Sequence, residues 1–149
     1  MTDIINDANV FTGGCACGAV RYEIKAAPFY MGHCQCRKCQ HMTGTGHSSM
    51  MAFQKAAMSV TGEVARWGFV ADSGQTTIRH FCPTCGSPVF SSAALRADVV
   101  AVNAGGLDDP ARFKPEAVVY TERGCAWDYL DPALPRYPTM PTGEIMTRT

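Results

Sequence analysis

Seven of the eight cysteines in this 149-residue chain fall into three tight groups, and their spacing constrains the fold more than any other feature. The groups are Cys15-x-Cys17, Cys34-x-Cys36-x-x-Cys39 and Cys82-x-x-Cys85, while Cys125 stands apart. Eight cysteines in 149 residues is about 5%, below the roughly 8–10% of disulfide-built scaffolds. Thiolates two or three positions apart can share one tetrahedral ion, with zinc–sulfur distances of about 2.3 Å. Glycine follows two of the groups, as Cys17-Gly18 and Cys85-Gly86, where it lets the backbone turn sharply past a metal knuckle. Pro83 stiffens the loop between Cys82 and Cys85.

Cys15, Cys17, Cys82 and Cys85 make a full set of four ligands joining segments 65 positions apart (82 − 17). Four thiolates leave no coordination position open, so this set predicts a structural zinc. Cys34, Cys36 and Cys39 supply three thiolates. Three protein ligands plus one exchangeable position is the pattern of a catalytic zinc. The competing reading is a second structural site whose fourth ligand is His33, His41, His47 or Cys125. Cys125, in Gly124-Cys125-Ala126-Trp127, otherwise reads as a buried apolar thiol. His80 lies among alternating strand residues and reads as a strand side chain. Asp108-Asp109 before Pro110 reads as a turn or helix cap rather than a catalytic carboxylate pair.

Thirteen basic and thirteen acidic side chains balance to zero, with no basic stripe. That excludes a dedicated nucleic-acid binder, which relies on neutralising phosphates, and equally a binder of anionic membrane surfaces. No run approaches the roughly 18 apolar residues of a membrane span. Met1–Asp7 lacks the basic and apolar regions of a secretory signal. A cytoplasmic location, where thiols stay reduced, is the expectation.

The pattern along the chain is mostly β. Residues 1–12 read as a loosely held lead-in, residues 13–138 as one domain and residues 139–149 as a tail. Val20, Tyr22 and Ile24 alternate with Arg21, Glu23 and Lys25, the period of a half-buried strand. Strands are also predicted at 58–61, 67–70, 76–81, 87–91, 99–102 and 117–120. Those at 67–70 and 76–81 form a hairpin around Asp72-Ser73-Gly74. Pro88 places its strand at an edge or at a strand start. Helical signal is confined to residues 35–43 and a turn near 108–113. Four prolines after Asp131 predict an extended segment on the surface. A small barrel and two packed sheets both fit these short strands.

These motifs together resemble the glutathione-dependent formaldehyde-activating enzyme family, also called the centromere protein V family. The resemblance runs through Gly13-Gly14-Cys15-Ala16-Cys17-Gly18-Ala19-Val20-Arg21-Tyr22-Glu23 and Cys34-Gln35-Cys36-Arg37-Lys38-Cys39. It continues through Arg79-His80-Phe81-Cys82-Pro83-Thr84-Cys85-Gly86, Gly105-Gly106-Leu107-Asp108-Asp109-Pro110 and the stretch from Trp127 to Pro138. It implies a mainly β, zinc-stapled β-tent fold of short, mostly antiparallel strands. It also implies two zinc ions, one structural on Cys15, Cys17, Cys82 and Cys85 and one catalytic on Cys34, Cys36 and Cys39. The implied activity is that of a carbon–sulfur lyase joining formaldehyde to glutathione. Family members often carry His where this chain has Gln35.

A small-molecule thiol such as glutathione is therefore the expected partner, with neither nucleic acid nor membrane. Arg37 and Lys38, inside the metal loop, are expected to reach a glutathione carboxylate. Two rival classes are a non-catalytic zinc-stapled binding or chaperone-like module and a thiol-redox enzyme. The first needs a protein side chain as fourth ligand. The second needs Cys125 as a reactive thiol.

Overall fold

The computed structural model describes residues 7–94 and 96–141. Strands β1 (Val10–Gly14), β2 (Arg21–Lys25) and β5 (Met58–Thr61) form a three-stranded antiparallel sheet in the order β1-β2-β5. A second sheet has seven strands. These are β3 (Tyr30–Cys34), β4 (Ser48–Gln54), β6 (Ala65–Val70), β7 (Thr76–Phe81), β8 (Pro88–Ala93), β9 (Arg96–Asn103) and β10 (Val118–Val119). Their order is β10-β3-β4-β9-β8-β7-β6, antiparallel throughout except for β10 with β3. Helix α1 (Arg37–Thr43) follows β3. The mainly-β expectation holds, in its two-sheet form. Among the described residues no helix is long and apolar enough to cross a membrane.

Side-chain alternation divides the seven-stranded sheet into two faces. Met51 and Phe53 of β4 and Val100 and Val102 of β9 are fully buried on the inner face. They pack with Phe11, Tyr22 and Ile24 of the smaller sheet to form the core. Phe11 meets Phe53 edge-to-face at 5.3 Å between ring centroids. Burying each large side chain of this core contributes about 1.5–3 kcal/mol. Met50, Ala52, Val99 and Ala101 alternate with those residues and so point to the other face. They line a cavity described below.

The hairpin of β6 and β7 forms as its sequence predicts, paired from Ala65↔Phe81 to Val70↔Thr76. Pro88 opens β8, an interior strand, so it marks a strand start and not an edge. The lead-in reading is corrected in part, because Val10, Phe11 and Thr12 belong to β1 and Phe11 is buried. Residues 1–6 and most of the expected tail, 142–149, lie outside the described residues. The proline-rich segment, expected to run extended, turns at 132–134, where Leu134 N donates to Asp131 O, and is then paired. Val118 N donates to Pro135 O, and Tyr137 N to Val118 O, each at 2.9 Å. Asp109 caps a 3₁₀ turn at Pro110–Arg112, accepting from Ala111 N. Asp108 instead pairs with Arg21 and accepts from the Thr12 hydroxyl at 2.7 Å.

Candidate metal centres and the adjoining cavity

The loop between β1 and β2 carries Cys15 and Cys17, and the loop between β7 and β8 carries Cys82 and Cys85. The four Sγ atoms lie within 4.8 Å of one another. Cys15–Cys17 and Cys17–Cys82 are 3.6 and 3.7 Å apart. A tetrahedron with arms of about 2.3 Å has edges of about 3.8 Å, so the donors fit one zinc ion. The knuckles are built for anionic sulfur: Val20 N donates to Cys15 Sγ at 3.2 Å and Cys85 N to Cys82 Sγ at 3.5 Å. Gly18 and Gly86 turn the chain past the sulfurs with φ of 80° and 76°. A side chain at either would be strained in this left-handed conformation.

The second centre begins at the end of β3. Cys34 closes the strand, Cys36 caps α1 by accepting from Cys39 N at 3.3 Å, and Cys39 sits in the first turn. The three Sγ atoms again lie within 4.8 Å of one another. Three thiols this close cannot all ionise without a cation among them. Hydrogen bonds from Cys34 and then Cys39 pull the Cys36 thiol far below its usual range, while the bond to Cys36 leads the causes that push Cys34 far up. A soft divalent ion would relieve that competition, so the donor set suits zinc.

Among the described residues no histidine, carboxylate or fourth cysteine joins this second cluster. His33 Nδ1 instead meets Ser49 Oγ at 2.9 Å, and burial, then His47, push its ring down to about 4, so it stays neutral. His47 Nδ1 bonds Asp128 at 2.8 Å. His41 lies 3.4 Å from an Arg37 nitrogen. Cys125 donates to Gln40 Oε1 at 3.8 Å and is partly exposed, not fully buried. His80 is a buried strand residue stacked on Phe90, as expected.

The cluster opens instead on a cavity of about 330 Å³ over the outer face of the seven-stranded sheet. Lys38 lines it, with Nζ 5.6 and 5.5 Å from the Trp67 and Phe69 ring centroids. Arg37 does not; it turns back to Gln40 and His41.

A sequence model of the glutathione-dependent formaldehyde-activating enzyme family matches residues 10–123. The chain belongs to this family. The matched span holds all seven clustered cysteines and ends before Cys125 and Asp128. No curated protein matches the chain. A crystal structure of a Rhodobacter sphaeroides protein is 15% identical over 85% of this chain and 98% of that one, with a TM-score of 0.54, and shares the fold.

Sequence reasoning missed two residues of this family member's second centre. Arg79 lines the cavity from β7, its guanidinium 4.6 Å from the Phe69 ring centroid. Burial pulls it below its usual range, and Cys39 leads the cysteines that pull it back up. Only strand pairing brings β7 to this face, so local sequence carries no signal for it. Asp128 holds Gln35, the residue between Cys34 and Cys36. Its carboxylate, 6% exposed, accepts from His47 Nδ1 and from Gln35 Nε2. It sits in an aperiodic stretch between two exposed aromatics, Trp127 and Tyr129, and nothing local marks it.

Proposed function

We propose that the three-cysteine centre takes up a thiol, and that the protein makes or breaks the carbon–sulfur bond of a thiol–aldehyde adduct. S-(hydroxymethyl)glutathione is the adduct that the family's description points to. The observation that carries this reading is a set of three thiols with no fourth protein ligand among the described residues, opening on a cavity.

Cys34, Cys36 and Cys39 would hold the ion. Zinc on three thiolates has a charge of about −1 and supplies a soft centre that favours ionised thiols near neutral pH. In the addition direction the thiol gives up its proton and its sulfur pair bonds the carbonyl carbon. The π pair of the carbonyl becomes an oxygen lone pair, which accepts a proton; cleavage reverses these steps. The chain's own residues contribute position and exclusion of water. The outer sheet face forms the cavity floor, and Lys38 and Arg79 offer cations to a substrate carboxylate. Cys15, Cys17, Cys82 and Cys85 hold the scaffold. A reducing compartment such as the cytoplasm keeps all seven sulfurs available.

Exchange spectroscopy by NMR tests the reading. The purified zinc protein should accelerate exchange between glutathione plus formaldehyde and their adduct, and Cys36→Ser should abolish that acceleration. Thiol binding without acceleration would favour the binding-module reading instead.

A further inference from the structure

We infer that the thiol taken at the three-cysteine centre carries a carboxylate and an apolar body of about aromatic size. This rests on the thiol-binding reading above and concerns which thiol the cavity fits.

Strand register sets the shape of the cavity. One cross-strand row runs Tyr30, Ala52, Ala101, Ser91, Arg79 and Trp67. Small side chains in its middle form a low floor. Tyr30 closes one end of the lining and Arg79 the other, with the exposed Trp67 beyond Arg79 at the end of the row. Met50 and Phe69 extend the apolar wall from neighbouring rows. The opposite face of the same strands is sealed by the smaller sheet. This face is the one that offers a ligand apolar contact next to the thiols.

Charge then selects a carboxylate on the ligand. Arg79 and Lys38 reach the cavity over aromatic rings, and neither forms an ion pair with an acidic side chain among the described residues. Arg96, also on the wall, is paired with Asp98 at 3.3 Å. Among the described residues the one acidic side chain on the wall, Asp72, is exposed at the β6–β7 turn. A half-buried guanidinium gains most from a carboxylate that it can hold bidentately. Glutathione fits this lining less well. Its two carboxylates, ammonium group and two peptide groups would all seek polar partners, and burying any of them unpaired costs affinity.

Calorimetry on the zinc-loaded protein with four thiols tests the inference. The probes are 4-(sulfanylmethyl)benzoate, phenylmethanethiol, 3-sulfanylpropanoate and glutathione. The benzoate thiol should bind at least about tenfold tighter than each of the others, with a negative heat-capacity change from apolar burial. Glutathione binding within about threefold of it, or tighter, would overturn the inference and leave the thiol-binding reading standing. Equal affinity for phenylmethanethiol would overturn the carboxylate requirement. Binding by none of the four would remove the thiol-binding reading and this inference with it. Arg79→Gln, checked for retained zinc and fold, should bring the benzoate thiol down to the affinity of phenylmethanethiol and leave the latter unchanged. An equal fall for both would assign Arg79 to compensating the cysteine charge and overturn its role in reading the carboxylate.

Discussion

Gln35 donates from Nε2 to Asp128 Oδ2 at 3.0 Å, tying the residue between two cysteines of the second centre to a carboxylate 93 positions later. Asp128→Ala would leave Gln35 and His47 without their acceptor in a nearly closed site. Stability should fall by about 1–3 kcal/mol in denaturant titration. On the zinc-loaded protein, chelator competition should release the ion of the second centre about tenfold more readily, because Asp128 holds Gln35, the residue between Cys34 and Cys36. Equal loosening of both ions would sink the local link.

Gly46→Ala should produce the same loosening by another route. A Cβ at Gly46 would stand only 2.5 Å from Asp128 Oδ2 and overlap the rest of its side chain. Asp128 must then withdraw from Gln35 and His47. The check is the same chelator competition, with Gly46→Ala no worse than Asp128→Ala.

The two clusters should respond differently to loss of a ligand. Cys82 is fully buried and belongs to a set that joins two distant loops. Cys82→Ser should lose the cooperative thermal transition, because structural zinc binding is itself folding free energy. Cys36→Ser should keep that transition while elemental analysis finds one zinc fewer. A folded Cys82→Ser protein would contradict the structural assignment.

Acid should weaken the tie between Asp108 and the first sheet. Arg21, then the Thr12 hydroxyl, hold the Asp108 carboxyl down at about 2. Its value in an unfolded chain is about 3.9. The folded state therefore binds this proton less readily, and the stabilisation is complete above about pH 4 and lost as pH falls toward 2. Both partners are close to half exposed, so the pair contributes less than about 1 kcal/mol. Thermal midpoints of the wild type and Asp108→Asn should differ at pH 6 and converge by pH 2. A gap that persists at pH 2 would refute the assignment.

Ligand chemistry was the legible part of this molecule. Tight cysteine spacing is local, so both clusters follow from the sequence, as do strands such as β2 whose two faces differ in polarity. β4 was not legible, for a physical reason. Ser48 to Gln54 includes Met50, Met51, Ala52 and Phe53 in succession, because one face packs in the core and the other lines the cavity. A strand apolar on both faces loses the alternation that would announce it. β3 was hidden by Gly32, required where Tyr30 folds back over the backbone. Arg79 and Asp128 reach the second centre through strand pairing and a returning tail, and no short-range pattern encodes either.

The separation of 65 positions within the four-cysteine set also has a consequence for the order of assembly. As the chain emerges from the ribosome, Cys34, Cys36 and Cys39 are all present 46 residues before Cys85 (85 − 39). The three-cysteine cluster can therefore capture an ion first. The scaffold's own set stays two ligands short until β7 has been made, and long-range closures of this kind are slow. In that interval Cys15 and Cys17 are exposed thiols in a nascent chain, open to copper or to oxidation. Completion of the four-cysteine set therefore waits on the loop that follows β7, and its early pair must survive unmodified until then.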